Sequence, residues 1–371
     1  MKSIAHALLA CCALIGATIG AAPAPIPALP PATYPVAATT RDGSHDFDFE
    51  HGTWRTHYRL LKKRLAGSHA WYDCYGTSVV RPFWGGSGNL EDGDLKCPNR
   101  YIGGMTIRTY SARTHQWTIW WGTRALMLAP PQQVGHYDAN GVGEFLSYDN
   151  WEGKPIITRF RWTHPNGRPH FEQAFSIDHG KKWETNWTTD YTRVAPSTKG
   201  VWNTVAAHDG HDGFDFLFGT WKTHYMRLRK ALVGSHDWYA CDGTAVVRPF
   251  WGGSGNLEDG DLRCPSSSQY IRGVTLRLYD PTTRRWALYW GTQKNGLALG
   301  SPQVGTFGAN GVGDFVAPDT WGGKPILVRY RWAQRNGNPH YEQAFSADHG
   351  KTWETNWTTD YTRVGPSTSS G

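Results

Sequence analysis

Hydrophobic and polar positions alternate with a period of two through most of this chain. Trp54, Thr56, Tyr58 and Leu60 occupy one face of a stretch whose other face carries Arg55, His57 and Arg59, the pattern of a half-buried strand. Val274, Leu276 and Leu278 alternate in the same way with Thr275, Arg277 and Tyr279. After the turn Asp280-Pro281-Thr282-Thr283, Trp286, Leu288 and Trp290 share a face. Phe160 and Trp162 alternate with Arg159 and Arg161, and Tyr330 and Trp332 with Arg329 and Arg331. Turn signals recur roughly every 8–12 residues, the spacing of a sandwich or a barrel. Residues 59–66 alone are ambiguous between strand and helix. The pattern predicts an all-β protein of antiparallel strands.

The same pattern occurs twice. Phe47-Asp48-Phe49 returns as Phe214-Asp215-Phe216, Gly52-Thr53-Trp54 as Gly219-Thr220-Trp221, and residues 81–89 as 248–256. Trp183-Glu184-Thr185-Asn186-Trp187 returns as residues 353–357. Small insertions fall at Ser266-Ser267-Ser268 and near Asn295-Gly296, both loop-like. Copies of this length are whole domains, not solenoid units. The expected organisation is a first domain over 45–194, a linker over 195–210, a second domain over 211–364 and a flexible tail over 365–371.

Composition agrees with strands and turns. The 371 residues include 20 Trp, 17 Tyr, 14 Phe, 43 Gly and 22 Pro, and only 19% are charged. Aromatic residues favour strands, and Gly and Pro favour turns. The formal charge of +7 is diffuse, its densest cluster being Lys62-Lys63-Arg64, so no nucleic-acid partner is expected. Lys2, the apolar residues 4–19 and the small residues Gly20-Ala21-Ala22 form a signal-peptide pattern over 1–22. Leu8-Leu9-Ala10-Cys11 offers an alternative lipoprotein processing site. Pro-rich residues 23–44 follow as a linker. No later apolar run reaches membrane length, so the expectation is an exported, periplasmic or secreted protein with no stable membrane span.

Cysteine spacing supports export. Outside the leader, Cys74 and Cys97 of the first copy and Cys241 and Cys264 of the second stand at identical separations. Pairing within each copy, Cys74–Cys97 and Cys241–Cys264, is the economical arrangement in an oxidising compartment; two pairs of buried free thiols are the alternative. No further Cys or His stands at ligand spacing, so neither a metal nor a cofactor is expected.

Phe47-Asp48-Phe49-Glu50-His51-Gly52-Thr53-Trp54 resembles the opening strand of the calycins. That resemblance implies two tandem lipocalin-like antiparallel β-barrels, with the Gly-x-Trp indole across the closed end of each. It also implies a basic residue on the last strand packed on that indole: Arg193 in the first copy and Arg363 in the second. Each whole copy is similar to uncharacterised bacterial lipocalin-like domains, which share Phe-Asp-Phe, Gly-Thr-Trp and Glu-Gln-Ala-Phe-Ser. Residues 176–183 and 346–353 resemble the Asp-box hairpin of sialidases. With one occurrence per copy, they read as structural turns, and Asp178 and Asp348 as turn formers.

The candidate binding residues are the inward aromatics. In the first copy these are Trp54, Tyr58, Trp71, Trp117, Trp121, Phe160, Trp162, Phe171 and Phe175. Their counterparts are Trp221, Tyr225, Trp238, Trp286, Trp290, Tyr330, Trp332, Tyr341 and Phe345. Small closed barrels either fill with such rings or hold one small ligand among them. Alternation places Glu172, Glu184, Arg159 and Arg161, and their counterparts Glu342, Glu354, Arg329 and Arg331, on the outer face as cross-strand ion pairs. His57 and His224 share that face. His170 and His340 stand at strand starts, and His69, with His236, precedes a strand at a barrel mouth. Gly85-Gly86-Ser87-Gly88-Asn89 is followed by acidic Leu90-Glu91-Asp92-Gly93-Asp94 rather than by Lys-Ser/Thr, so it reads as a long turn or mouth loop, not a phosphate cradle. The expected function is binding of a hydrophobic or aromatic small molecule by a monomer with internal pseudo-symmetry, its interior having little acid–base equipment. A hydratase, isomerase or cyclase of hydrophobic metabolites, and an envelope interaction module with filled barrels, stay open as alternatives.

Overall fold

A computed structural model describes residues 41–194, 210–267, 269–297 and 302–365. The expected leader with Cys11, residues 23–40 of the Pro-rich stretch, linker residues 195–209, Ser268 and tail residues 366–371 lie outside these.

The first copy is a closed barrel of ten antiparallel strands. They are β1 (Gly52–Leu61), β2 (Trp71–Phe83), β3 (Gly88–Cys97), β4 (Arg100–Ser111) and β5 (Gln116–Thr123), then β6 (Met127–Tyr137), β7 (Gly143–Trp151), β8 (Lys154–Thr163), β9 (His170–Ser176) and β10 (Glu184–Arg193). Each strand pairs with its sequence neighbours, and β1 closes the ring on β10, with Trp54 opposite Arg193. Residues 59–66 resolve simply: β1 runs to Leu61 and the chain then turns.

The second copy repeats the ring. Its strands are β11 (Gly219–Leu228), β12 (Trp238–Phe250), β13 (Gly255–Cys264), β14 (Gln269–Asp280) and β15 (Arg285–Thr292), then β16 (Gly296–Leu297), β17 (Gln303–Phe307), β18 (Gly313–Trp321), β19 (Lys324–Arg335), β20 (Asn338–Ser346) and β21 (Glu354–Gly365). Pairing of β11 with β21 and of β14 with β15 closes it. Disulfides Cys74–Cys97 and Cys241–Cys264 pin the second strand of each barrel to the third. Buried disulfides are typical of exported proteins. No helix among the described residues is long and apolar enough to cross a membrane.

One end of each barrel is plugged from the N-terminal side. A 3-10 turn over Asp48–Glu50 drops Phe47 into the end of the first barrel, edge-on to Trp117 at 5.0 Å and to Trp162 at 5.5 Å. Trp54 Nε1 donates to the Glu50 carbonyl at 2.7 Å. The Arg193 guanidinium lies 4.1 Å from the Trp54 ring and donates to the carbonyls of His51 and Phe49. Gly52 has φ +138°, and a Cβ there would collide with that guanidinium, so this position of the Gly-x-Trp motif needs glycine. Arg363 sits 4.1 Å over Trp221 in the second barrel.

The barrels bury one flank of each against the other. The Gly-rich segments are not mouth loops: each forms a short 3-10 turn, Trp84–Gly86 and Trp251–Gly253, inside this contact. Asp92 lies beside the Trp251 amide, and Asp259 beside the Trp84 amide, its counterpart. Trp251 Nε1 also donates to the Gly104 carbonyl at 3.2 Å, and Gln293 Nε2 to Ser87 Oγ at 2.9 Å. Met105, Ile107 and Trp120 on one side, and Val274, Leu276 and Tyr289 on the other, complete the apolar contact. Burial of Asp92 pushes its carboxyl up to about 6 against the pull of Arg81 and Arg124.

That contact changes which face of a strand points inward. Val274, Leu276 and Leu278 do share a face, but they face the neighbouring barrel. Thr275, Arg277 and Tyr279 are the inward set of β14. The same inversion holds on β3, where Leu90 faces the other barrel and Glu91 faces in.

Trp54 is about 1% exposed, so Trp54→Ala should destabilise the first barrel by about 3–5 kcal/mol, the range for large buried aromatics. Arg193→Ala should destabilise it by less, but by more than loss of a solvent-exposed arginine. Thermal melts in which both variants match wild type would contradict this account of the plugged end.

Candidate functional site

Each barrel keeps a cavity beyond its plug. The first opens about 80 Å³ to the centres of water-sized spheres. At about 10–15 Å³ of that measure per water, it holds several waters or one small ligand. The walls are Tyr58, Trp121, Phe160, Trp162, Phe171 and Trp187. Trp121 and Trp187 meet edge-on at 6.1 Å, and Trp162 and Phe171 meet at 4.5 Å. The second cavity opens about 60 Å³ on the same measure, between Tyr225, Trp290, Tyr330, Trp332, Tyr341 and Trp357.

The segment joining β1 to β2 folds over the mouth. Leu65 N donates to Glu184 Oε1 at 2.6 Å, and Arg64 lies over Trp151 and Phe175 while lining the cavity. Leu232 N donates to Glu354 Oε1 at 2.6 Å in the second barrel, where Ala231 takes the place of Arg64. Glu184 and Glu354 therefore hold mouth segments and are not rungs of the outer ion-pair ladder. Arg161 does lie between Glu144 and Glu172 on that face. At the first mouth, burial pushes the Asp149 carboxyl up to about 6.

The sequence-predicted residues divide by depth. Tyr58, Trp121 and Trp162, and Tyr225, Trp290 and Trp332, line the cavities. Trp54 and Trp117, like Trp221 and Trp286, lie in the plug, where each indole donates to a backbone carbonyl. Trp71 and Trp238 stand at the starts of β2 and β12, outside the cavity linings. Phe175 packs under the mouth segment with Trp151. His69 and His236 are exposed. His57 pairs with Asp73, and His170 bridges Asp190 and Glu172. Asp178 accepts from Ser176 Oγ and the Lys182 amide, as its turn role requires. Among the described residues, no three His, Cys, Asp or Glu side chains converge as metal ligands.

The expectation of an interior with little acid–base equipment is wrong. Arg108, on the inward face of β4, is completely buried. Its guanidinium contacts Glu50 at 2.9 Å and donates to Asn89 Oδ1 at 2.8 Å and Glu91 Oε2 at 2.6 Å. It is sandwiched between Phe47 and Trp162, at 4.9 and 5.1 Å from the ring centres. Glu91 Oε1 accepts from Ser78 Oγ at 2.7 Å and from the Tyr191 hydroxyl at 3.2 Å, at the inner end of the cavity. In the second barrel Arg277 binds Glu258 and Asn256, and the Tyr361 hydroxyl donates to Glu258 at 2.8 Å. The recurrence of Asn-Leu-Glu-Asp-Gly-Asp in both copies was the available signal.

The two networks differ in charge. The first sets one guanidinium against two carboxylates; Leu217 replaces Glu50 in the second, leaving one against one. Burial pushes the Glu50 carboxyl up to about 7, opposed by Arg108 and reinforced by Glu91. The first network therefore favours a proton that the second has no need to hold.

No protein-family model matches the sequence, and no curated protein matches it. Among solved structures, the chain is similar to a protein of unknown function from the DUF3598 family of Nostoc punctiforme PCC 73102. The identity is 10% and the TM-score 0.26, over 87% of this chain and 100% of that one. It is also similar to kievitone hydratase from Nectria haematococca, at 9% identity and a TM-score of 0.15, over 90% of this chain and 95% of that one. At these values neither likeness bears on activity.

Because folding raises the Glu50 pKa, its favourable contribution is complete below the ordinary carboxylate range and is lost as pH rises through about 7. Asp92 and Asp149 act in the same sense nearer 6. Burial holds His51 below its ordinary value, so it acts in the opposite sense. The measurement is thus a difference: from about pH 5 to 8, Glu50→Gln should lose less melting temperature than wild type. Parallel pH profiles for the two proteins would contradict the assignment.

Proposed function

We propose that this is an exported, monomeric pair of lipocalin-like barrels that binds a hydrophobic or aromatic small molecule in its cavities. The observation that carries this reading is the first cavity: six aromatic walls around a space of ligand size. Apolar walls with a few fixed polar groups are the usual makings of a small-molecule site. Tyr58, Trp121 and Trp162 are its contact residues, and Tyr225, Trp290 and Trp332 are those of the second site. Trp54, Trp71 and Trp117, with Trp221, Trp238 and Trp286, belong to the support of the two cavities.

The buried carboxylates favour binding over turnover. Glu91 already accepts from Arg108, Ser78 and Tyr191, which fixes it as an oriented acceptor rather than a mobile base. Glu50 lies behind Arg108, away from the cavity walls. A ligand would thus meet a rigid polar end and an aromatic waist. The domains of this reading are 45–194 and 211–364.

Binding of indane should change intrinsic Trp fluorescence and raise the melting temperature without any chemical change to the ligand. Trp121→Ala should weaken the first site by roughly tenfold, as loss of a central aromatic contact does, and leave the second intact; Trp290→Ala should do the reverse. A screen of apolar aromatics that moves neither fluorescence nor melting temperature would favour filled barrels acting as an adaptor. A conversion abolished by Glu91→Gln would favour an enzyme.

A further inference from the structure

The two cavities share a frame but differ at its mouth, where Arg64 is replaced by Ala231, and at two aromatic wall positions. Trp121 and Trp290, Trp187 and Trp357, and Glu91 and Glu258 occupy equivalent places. Phe160 and Phe171 of the first barrel, however, are Tyr330 and Tyr341 in the second. The frame holds the rings alike: Trp162 meets Phe171 at 4.5 Å with planes 46° apart, and Trp332 meets Tyr341 at 4.9 Å and 45°. The pairs Phe160–Phe171 and Tyr330–Tyr341 both meet edge-on, at 5.2 and 5.4 Å. At these two positions the difference is therefore two hydroxyls added to the same wall.

Both tyrosines keep more accessible surface than Phe160 and Phe171, and both line the cavity. A phenolic hydroxyl carries one proton to donate. In a low-dielectric wall a ligand that offers an acceptor would satisfy that proton. A hydrocarbon of the same shape would strip its water and leave it unpaired. The first wall makes no such demand, since phenyl edges are satisfied by apolar contact.

We propose that the two barrels are specific for different ligands: the second selects a ring system carrying a hydrogen-bond acceptor through Tyr330 and Tyr341, whereas the corresponding wall of the first, Phe160 and Phe171, takes the ring alone. This rests on the ligand-binding role of both cavities. It also gives the tandem arrangement a purpose, because one chain then binds two related molecules.

Titration calorimetry of the full chain with indane and 1-indanone tests it, the two probes sharing one bicyclic frame without and with a carbonyl. In wild type, one of two sites should prefer 1-indanone by roughly tenfold, the worth of one net hydrogen bond. Tyr330→Phe with Tyr341→Phe should remove that preference. Phe160→Tyr with Phe171→Tyr should create a second site that shows it. Equal affinity for both probes at both wild-type sites, or a preference that survives the loss of both tyrosine hydroxyls, would overturn the proposal while leaving the binding role standing. If neither probe binds wild type at all, the binding role itself falls, and the proposal with it.

Discussion

One buried guanidinium organises each barrel interior. Arg108 has no access to solvent, and moving a charge into such a place is unfavourable unless its donors are met. Its partners come from three separate elements: Glu50 from the 3-10 turn, Asn89 and Glu91 from β3, and ring faces from Phe47 and Trp162. Placing one side chain thus fixes the plug, the third strand and one aromatic wall together. Because Glu91 also receives Ser78 and Tyr191, the network reaches β2 and β10, across the seam where the barrel closes. The shape of the cavity follows from this arrangement. Its inner end cannot collapse without stranding a charge.

The contact between the barrels explains why half of this was legible in the sequence and half was not. The inward Tyr58 follows from a strand with one wet face, and β1 is such a strand; the disulfide pairs follow from cysteine spacing, and Trp54 at the plugged end with Arg193 on the last strand from the calycin resemblance. On β3, β4, β13 and β14 both faces are buried, one in the barrel and one against the other barrel. Period-two patterning then still identifies the strand but no longer says which face is inside. Val274, Leu276 and Leu278 read as core and are core, but of the inter-barrel contact. Arg277, on the opposite parity, reads as solvent-facing and is wholly buried. Gly85-Gly86-Ser87-Gly88-Asn89 reads as a long turn or mouth loop; a turn does form there, over Trp84–Gly86, but against the neighbouring barrel's flank and not at a mouth. Residue spacing within one copy carries no information about that neighbour.

The copies conserve support and vary content. Plug, disulfide, Asp-box turn and mouth anchor recur, and so does the guanidinium, without its Glu50 contact in the second barrel. Several of the differences lie around the cavities: Glu50 against Leu217, Ser78 against Ala245, Arg64 against Ala231, and two phenylalanines against two tyrosines. Such a division is expected where a rigid frame positions a few interchangeable side chains, since changes inside the frame alter recognition without reopening the fold.

Arg108 is needed because two buried carboxylates depend on it, and the unfolding free energy of three variants tests this directly. Arg108→Met strands Glu50 and Glu91 and should destabilise the first barrel by about 3–5 kcal/mol, as when one partner of a buried pair is removed. Glu50→Leu installs what the second barrel carries at Leu217. Combined with Arg108→Met, it should recover a substantial part of the loss, giving a coupling well above the scatter expected for independent sites. If Arg108→Met unfolds with the stability of wild type, or if the double variant equals the sum of the singles, the guanidinium does not hold this interior together.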